Sequence, residues 1–514
     1  MNVIELGLFA SRIEAVCDEM GAVLRRSAFS PNIRDRLDYS CAVFDAQGEL
    51  CAQAAHIPVH LGSMAYAMRD IVDGMAWQPG DMVVVNDPFL GGTHLPDVTV
   101  IAPVFASAAL GGGLLGFVAN RAHHADIGGS SPGSMPISTT LAEEGIVIPP
   151  SYLMRAGELD QALLQQILAS TGNQHELQGD FSAQISANHS GVQRLAELVD
   201  GLGAVRWREA LAELNDYAER LAREALRRIP AGEYRFCDYL DDDGLGNRDL
   251  AIHASLWVSN EGIAVDFTGT APQTTGNVNC PLSVAAAGVY YVFRCLMPPQ
   301  TPACAGAFRA ITLQAPLGCL LNAERPAAVA AGNVETSSRV VDVICGALAQ
   351  ALPEQIPAAS HGGMNNLAMG ARSPRRWDYY ETMGGGMGAG MHGGGLSAVQ
   401  THMTNTLNTP IEVLERNYPL RLRRYGIRRG SGGMGQRFGG DGLVREFEFL
   451  APAEVTLLTE RRRYAPWGLA GGGDGVKGEN RLNGELLPGK CVLEVQTGDR
   501  LSIATPGGGG WGKA

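Results

Sequence analysis

Apolar residues recur along this chain with two different periods, and each period predicts its own kind of element. Between residues 4 and 26 they stand three or four positions apart, from Leu6 and Phe9 to Met20 and Val23, which predicts an amphipathic helix. Short β-rich runs follow and are separated by turn residues. These runs are Cys41–Phe44, Met82–Val85, Val98–Val104 and Leu114–Val118.

The uncharged stretch from Val98 to Ala119 is longer than the ~18 residues expected of a membrane span. Pro103 and the glycines at 111–113 interrupt it, so we interpret it as two strands joined by a turn. If these strands pair, segments 86–97 and 120–129 reach neighbouring strand ends. Loops at strand ends are where chemistry is usually placed, so these two segments are the first candidates for a site.

The pattern of apolar residues and glycines changes twice in the remainder of the chain. Residues 160–228 repeat apolar positions at helical spacing, and 283–296 and 337–352 are further helical candidates. Beyond residue 360, glycine runs alternate with short apolar segments, which predicts a β-rich region. We therefore expect a multidomain α+β fold. Its predicted parts are an N-terminal α/β domain (1–158) with the candidate loops, a helical segment (159–230), an α+β middle domain (231–358) and a glycine-rich, β-rich C-terminal domain (359–514).

Charge and cysteine usage narrow the functional classes. Forty basic and 53 acidic residues in a chain of 514 give a formal net charge of −13, which disfavours nucleic acid or an anionic membrane as the main partner. The N-terminus has no basic stretch followed by an apolar run, so no secretory signal is expected. Ten scattered cysteines without a C-x-x-C pair argue against a disulfide framework. We expect a cytoplasmic protein.

The strongest local feature is the bent loop from Asn86 to Asp97. His94 and Asp97 are three residues apart, with Pro96 fixing the backbone between them, and an imidazole and a carboxylate converging there suit Zn²⁺, Mn²⁺ or Fe²⁺. The segment that holds His123, His124 and Asp126 follows the next strand and could complete such a site. The alternative is a hydrogen-bonded loop in which His94 caps backbone carbonyls and Asp126 caps a turn.

Other polar groups carry weaker signals. The carboxylates of segment 32–38 alternate with arginines, which is typical of an ion-pair network. His56 and His60 could line a pocket, although a histidine among apolar residues is more often a satisfied core group. Segments 333–336 and 403–406 offer amide, hydroxyl and carboxylate groups that could grip a ligand or make structural hydrogen bonds. The chain contains no G-x-x-x-x-G-K-[ST] nucleotide loop.

Ten segments in one order resemble the hydantoinase B family, which also forms the C-terminal half of ATP-dependent 5-oxoprolinase and is related to the acetone carboxylase α subunit. The resemblance runs through nearly the whole chain. The segments are Asp35–Ser40, His56–Gly62, Asn86–Asp97, His123–Gly129, Pro132–Pro136, Asp266–Thr270, Gly332–Thr336, Met403–Thr406, Arg429–Gly433 and Thr505–Gly510.

The resemblance implies a divalent metal (Zn, Mn or Fe) held by an early acidic residue, the histidine and aspartate of the G-G-T-H-x-x-D loop, and a later histidine. In this chain those positions fall on Asp35, His94, Asp97 and His123. His124 and Asp126 would then serve as catalytic groups that move protons or orient a ligand.

The resemblance also implies a partner, a hydantoinase A-type subunit that binds ATP-Mg, in a hetero-oligomer such as A2B2. That partner would phosphorylate the carbonyl oxygen of a small cyclic amide, of the hydantoin or 5-oxoproline type. This chain would then hydrolyse the activated ring with a metal-activated water. Two alternatives stay open: a subunit of an ATP-dependent ketone carboxylase of the acetone or acetophenone type, and a non-catalytic scaffold subunit of such a complex.

Overall fold

The computed structural model describes residues 1–54, 57–373 and 376–514. Its N-terminal part is built on a seven-stranded antiparallel sheet with the order β2-β1-β5-β4-β3-β6-β7. The strands are β1 (Tyr39–Asp45), β2 (Leu50–Gln53), β3 (Met82–Val85), β4 (Asp97–Phe105), β5 (Leu114–His123), β6 (Ser151–Arg155) and β7 (Glu158–Leu159). The predicted pair of strands within the uncharged stretch is thereby confirmed, as β4 and β5 with a short helical turn between them.

Helices cover both faces of this sheet. The helices are α1 (Val3–Ser27), α2 (Pro31–Arg34), α3 (Pro58–Gly74), α4 (Leu141–Glu144), α5 (Gln161–Ala169), α6 (Gln174–Leu202) and α7 (Ala204–Leu226). Val98 and Val100 of β4 face the core shared with α1 and α6, whereas Ile101 faces the smaller core beneath α3. Because side chains alternate along a strand, each strand-end residue is directed to one helix layer or to the other.

The middle of the chain forms a four-stranded sheet with the order β11-β10-β9-β8, in which β10 and β11 run parallel. Its strands are β8 (Gly232–Asp242), β9 (Arg248–Val258), β10 (Ile263–Asp266) and β11 (Ile311–Gln314), and its helices are α8 (Leu282–Leu296) and α9 (Ser337–Leu348). A π-helical turn, Gly332–Thr336, leads directly into α9. Such wide turns are rare and frequently lie at functional sites.

Two further sheets and one short helix make up most of the C-terminal part. The first sheet has the order β13-β12-β16-β19 and the second the order β14-β15-β20-β17-β18. The elements are β12 (Asn366–Ala371), β13 (Trp377–Glu381), α10 (Ile411–Asn417), β14 (Leu420–Arg428), β15 (Gly442–Phe449), β16 (Ala453–Leu458), β17 (Glu479–Leu482), β18 (Glu485–Leu487), β19 (Lys490–Val495) and β20 (Arg500–Ala504). The predicted α+β class is confirmed, and the boundaries of the four predicted domains stay predictions.

Four glycine-containing segments, 384–388, 432–440, 468–475 and 507–510, lie against one another outside the regular strands and form what we call the glycine layer. Backbone hydrogen bonds join them, for example Gly508 N to Gly440 O at 2.9 Å and Gly510 N to Gly473 O at 2.8 Å. A Cβ added at Gly386 would lie 2.0 Å from the Gly440 oxygen. The close approach of these backbones therefore requires glycine.

Candidate metal centre

The register of β4 and β5 brings the two predicted loops together. Asp97 and His123 are direct partners across this antiparallel pair. Side chains alternate between the two faces of a strand, and both of these side chains point to the face that α3 covers. Arg121 lies on the same face and donates hydrogen bonds to Thr99 and to Ser63 of α3. The expected meeting of segments 86–97 and 120–129 is confirmed, and the two side chains share one buried space.

His94, Asp97 and His123 form a fully buried cluster whose potential ligand atoms all lie within 4.8 Å of one another. Nε2 of His94 is 3.3 Å from Oδ2 of Asp97, and Nδ1 of His123 is 3.2 Å from Oδ1 of the same carboxylate. The remaining ring nitrogen of His94, Nδ1, lies 3.3 Å from the Ala330 carbonyl oxygen. A metal-binding histidine commonly anchors its second nitrogen in this way, which fixes the ring's orientation.

Three further groups hold the Asp97 carboxylate in place. The Thr93 hydroxyl donates to Oδ2 at 2.5 Å, and the Asn333 amide donates to it at 3.4 Å from the π-helical turn. Nε2 of His60, on α3, lies 3.1 Å from Oδ2, while Nδ1 of His60 lies 3.3 Å from the Ser40 hydroxyl. His60 therefore belongs to the site, as an orienting group behind Asp97. His56, the other predicted pocket histidine, lies outside the described residues.

Burial and neighbouring charges shift the pKa values of the cluster residues in different directions. Burial alone would raise the pKa of Asp97, but the charges of His60 and His94 and hydrogen bonds from His123 and His60 hold it well below its usual range. Burial acts to lower the pKa of His94, but the charge and hydrogen bond of Asp97, together with the charges of Glu144 and Asp38, outweigh burial and raise it. For His123, burial dominates and lowers the pKa. The carboxylate is thus ionised and the His123 ring is neutral near pH 7.

The donor set fits a divalent transition metal. His94 Nε2 and Asp97 Oδ1 are fully buried, and the close neighbours of both atoms are other potential ligand atoms of the cluster. Two ligands at about 2.1 Å from one ion lie about 3.0–3.4 Å apart for octahedral or tetrahedral angles. The contacts of 3.3 and 3.2 Å between the imidazole nitrogens and the carboxylate match that range. Two nitrogens and a carboxylate are also the donors that Zn²⁺, Mn²⁺ and Fe²⁺ accept.

The structure does not bring Asp35, the predicted early acidic ligand, to this cluster. Its carboxylate pairs with the neighbouring Arg34 guanidinium, with contacts of 3.1 and 3.2 Å, and its side chain is 19% exposed. The physical reason lies in the local backbone: α2 ends at Arg34 with Asp35 as its C-cap, and Leu37 takes a left-handed φ of 59° that turns the chain. Asp38, rather than Asp35, therefore reaches the strand end beside His123.

Asp38 is buried, and its backbone oxygen accepts a hydrogen bond from His123 N at 3.0 Å. Its carboxylate lies 3.7 Å from the buried Arg36 guanidinium, and its charge acts to raise the pKa of both His94 and His123. The segment 32–38 thus contains both a solvent-facing ion pair at Asp35 and a buried acid at Asp38. Sequence spacing alone does not separate the two.

His124 faces the opposite side of the sheet from the cluster. Its Nε2 lies 2.9 Å from the side-chain oxygen of Gln184 on α6, and its ring packs against Phe181. Burial lowers the pKa of His124. Its side chain points to the same face of the sheet as that of Asn120, whose amide donates hydrogen bonds to Gln184 and Asn188 of α6. The structure therefore does not bring this predicted catalytic residue to the metal ligands.

Asp126 shapes a turn. Oδ1 accepts from Gly128 N at 2.8 Å and from the Ser134 hydroxyl at 3.3 Å, while Oδ2 accepts from Gly172 N at 3.1 Å and from Arg376 at 2.7 Å. These four partners occupy the carboxylate. The structure agrees with the alternative in which Asp126 caps a turn and does not bring it to the metal ligands.

A polar wall from the C-terminal part completes the surroundings of His123. The Tyr380 ring stacks on the His123 ring at 4.6 Å, and its hydroxyl donates to Asn366 at 2.6 Å. The Asn366 amide lies 3.5 Å from Oε1 of Glu335, which also accepts from Met364 N at 3.1 Å. Oε2 of Glu335 has no partner among the described residues, and burial together with the Glu460 charge raises the pKa of Glu335 to about 8.

Behind this wall lies a buried ion-pair network between β8, α9 and the segment after β16. Arg461 contacts Asp238 at 2.8 Å and Asp342 at 2.5 Å. Arg339 contacts Asp238 and Glu460, each at 3.2 Å. Because these charges are withdrawn from water, each depends on its partners, and the network connects the middle and C-terminal parts of the chain.

The chain belongs to the Hydantoinase B/oxoprolinase family, whose model matches residues 2–514. This confirms the resemblance inferred from its ten segments.

Individual relatives show how the chain compares in length. It is 39% identical to 5-oxoprolinase 1 of Arabidopsis thaliana over 547 residues, which cover 99% of this chain but only 42% of that protein. It is 33% identical to a protein of Pseudomonas sp. that carries the name of a D-/L-hydantoinase B-type subunit, covering 97% of this chain and 88% of the relative. The crystal structure of ATP-dependent caprolactamase from Pseudomonas jessenii matches it with a TM-score of 0.92 at 29% identity, covering 100% of this chain and 91% of that one.

Two whole-chain observations bear on the remaining expectations. Within residues 1–54, 57–373 and 376–514, no helix combines the length and apolarity needed to cross a bilayer. None of the ten cysteines, all of which lie within the described residues, forms a disulfide bond.

Proposed function

We propose that this chain is the B-type subunit of an ATP-dependent cyclic-amide hydrolase of the hydantoin or 5-oxoproline type, with a divalent metal centre at His94, Asp97 and His123. The observation that carries the proposal is the buried cluster itself, with potential ligand atoms within 4.8 Å, in a chain of the Hydantoinase B/oxoprolinase family. The names of relatives point the same way, because they include a 5-oxoprolinase and the B-type subunit of a hydantoinase.

His94, Asp97 and His123 would hold the ion, and we place Asp38 as a fourth donor instead of Asp35. Asp38 is buried beside His123 and its charge acts on both cluster histidines, whereas Asp35 pairs with Arg34. A bound divalent ion would activate a water molecule for attack on the ring carbonyl carbon.

The chain's own residues have distinct parts in this proposal. His60, Thr93 and Asn333 orient the Asp97 carboxylate, and the Ala330 carbonyl orients His94. Tyr380 covers the His123 ring and limits its access to water. We assign His124 and Asp126 to the support of α6 and of a turn, since their partners are Gln184 and backbone amides.

The ATP-dependent step would belong to an A-type partner subunit that binds ATP-Mg. This chain has no P-loop motif, and it spans only 42% of the A. thaliana 5-oxoprolinase, so the longer relative contains sequence that this chain lacks. We propose a hetero-oligomer such as A2B2 in which the partner phosphorylates the ring carbonyl oxygen. Phosphorylation weakens the amide resonance, so after attack by water the C–N bond can break with a proton going to the ring nitrogen. A second water then hydrolyses the resulting acyl phosphate to a carboxylate and inorganic phosphate.

The test is co-purification with the A-type subunit, followed by metal analysis and by ATP hydrolysis assays with hydantoin, 5-oxoproline, a lactam, and acetone with bicarbonate. We expect ring-stimulated ATP turnover and about one divalent ion per chain. His94→Ala should lose both, whereas His189→Ala, at an exposed histidine of α6, should retain both. Stimulation by acetone and bicarbonate alone would favour the ketone carboxylase alternative. Full activity of His94→Ala without bound metal would contradict the proposed centre.

A further inference from the structure

Glu144 is a buried carboxyl close to the metal cluster that the proposed function leaves without a role. It is the last residue of α4, and its side chain is fully buried. The preceding residue, Glu143, instead caps the start of this helix, where it accepts hydrogen bonds from Thr140 N at 3.1 Å and from the Thr139 hydroxyl at 2.6 Å. The two neighbouring glutamates therefore hold different groups, and only Glu144 reaches inward.

One oxygen of Glu144 holds two consecutive backbone amides. Oε1 accepts from Val329 N and Ala330 N, each at 2.9 Å, and from the Ser138 hydroxyl at 2.7 Å. Hydrogen bonds to an ionised acceptor are stronger than those between neutral groups. The backbone at Val329 and Ala330, just before the π-helical turn, is therefore fixed by a side chain from a different part of the chain.

The carbonyl of Ala330 connects this backbone to the metal cluster. Its oxygen lies 3.3 Å from Nδ1 of His94, and Nε2 of the same ring lies 3.3 Å from Oδ2 of Asp97. A carbonyl oxygen can only accept a hydrogen bond, so a neutral His94 ring bonded to it carries its proton on Nδ1. The lone pair of Nε2 is then free for an ion. Glu144 thus holds the residue whose carbonyl selects this form of the ring.

Other contacts already attach α4 to the segment that Glu144 holds. Leu141 N donates to Pro326 O at 3.0 Å, and Thr140 forms an antiparallel bridge with Ala327. Oε2 of Glu144 has no hydrogen-bond partner among the residues that the structure describes, and burial raises the pKa of the carboxyl to about 7. A buried polar atom without a partner costs free energy. Since attachment does not depend on this costly carboxyl, what Glu144 adds is the exact placement of the backbone beside His94.

We propose that Glu144 is a positioning residue for the metal centre, because it places the Ala330 carbonyl so that His94 is fixed with Nε2 toward the ion. The inference rests on the proposed function, since it concerns the metal centre assigned there. Glu144 acts through the backbone and is not itself a ligand. Groups that orient a metal ligand typically change metal affinity about 10- to 100-fold when they are removed.

Two substitutions separate the reach of Glu144 from its charge. Glu144→Gln keeps an acceptor oxygen at the same reach but never ionises, whereas Glu144→Asp keeps the charge but is one methylene shorter. Competition with a chelator on the metal-depleted full chain measures the dissociation constant for Co²⁺, and the visible absorption of bound Co²⁺ reports the geometry of its ligands. We expect Glu144→Gln to stay within about threefold of the wild type with an unchanged spectrum, and Glu144→Asp to bind at least about tenfold more weakly with a shifted spectrum.

Glu143→Asp is the matched control, because it shortens the neighbouring carboxylate of the same helix and should leave both readouts unchanged. Glu144→Met removes the acceptor without leaving a shortened carboxylate in the core, and it should weaken Co²⁺ binding as Glu144→Asp does. Wild-type affinity in a folded Glu144→Asp or Glu144→Met overturns the proposal. A loss of more than about tenfold in Glu144→Gln also overturns it, because the effect would then come from charge and not from position.

ATP hydrolysis by the complex with the A-type subunit separates this inference from the proposed function. If Glu144→Asp and Glu144→Met bind Co²⁺ as tightly as the wild type, the metal centre stands and the role of Glu144 is wrong. If no ring stimulates ATP hydrolysis, while these two variants weaken Co²⁺ binding and Glu144→Gln does not, the role of Glu144 stands and the hydrolase function fails. A wild-type chain that binds no divalent ion overturns both.

Discussion

Replacing Glu335 by glutamine should make the protein more stable at high pH and leave it nearly unchanged at low pH. Glu335 lies fully buried in the π-helical turn, and Oε2 has no partner among the described residues. Burial first, and then the charge of Glu460, raise its pKa from 4.5 to about 8. Glutamine keeps the size of the side chain but never takes the negative charge.

The direction in which stability changes with pH follows from the linkage between proton binding and folding. The folded chain binds the Glu335 proton more tightly than the unfolded chain does, so the wild type loses stability as the pH rises from about 4.5 to about 8. The difference between these two pKa values corresponds to a total loss of about 5 kcal/mol in the free energy of unfolding once the pH exceeds about 8. Glu335→Gln escapes this loss because it does not ionise.

Urea denaturation of both proteins at about pH 5 and about pH 9 measures the effect. The variant's advantage in free energy of unfolding should grow by up to about 5 kcal/mol between these conditions. Glu158→Gln, at an exposed position on β7, is the control and should show a difference that does not change with pH. A flat difference for Glu335→Gln would refute the reasoning, because it would mean that Glu335 ionises as easily in the folded chain as in water.

Three other predictions address the metal donors, the ion-pair network and the glycine layer. Asp38→Asn should lower the amount of divalent metal bound per chain, whereas Asp35→Asn should leave it unchanged. Mass spectrometry of the purified proteins measures both. The reverse result would restore Asp35 as the ligand. Arg461→Met leaves two buried carboxylates short of a partner and should cost about 3–5 kcal/mol in urea denaturation, and a loss below about 1 kcal/mol would contradict this. Gly386→Ala places a Cβ against backbone on both sides and should cost at least about 1–3 kcal/mol, whereas Gly426→Ala, with nothing within 4 Å, should be tolerated. Equal melting temperatures for these two glycine variants would argue against the close packing of the layer.

The sequence predicted the pairing of β4 with β5 and the meeting of His94, Asp97 and His123. That success has a local cause, because two apolar runs joined by a short turn have few ways to pair. The choice between His123 and His124 followed from the resemblance, and the structure supplies the physical reason. Neighbouring residues on a strand point to opposite faces, and only the position of α6 shows which face is which.

Other features depended on contacts that no local pattern contains. Helix α3 was not predicted from the sequence, although Pro58 at its first turn is a recognised start signal. His60 was a weak candidate because its role requires Asp97 on a different element. Asp35 and Asp38 have similar sequence surroundings, and the left-handed backbone at Leu37 decides which of the two is buried. Tyr380 reaches His123 from a part of the chain far away in sequence.

The glycine layer has a consequence for the order in which the chain folds. Its hydrogen bonds join segments that are far apart in sequence, such as Gly440 N to Met387 O at 2.8 Å and Gly433 N to Gly508 O at 2.8 Å. Contacts of this kind require large loops to close before they contribute stability, so they form late and slow folding. We expect the amides of all four segments to gain protection from hydrogen exchange together, in one slow phase, after the N-terminal sheet is already protected. Refolding of the C-terminal part would then be the step most exposed to aggregation.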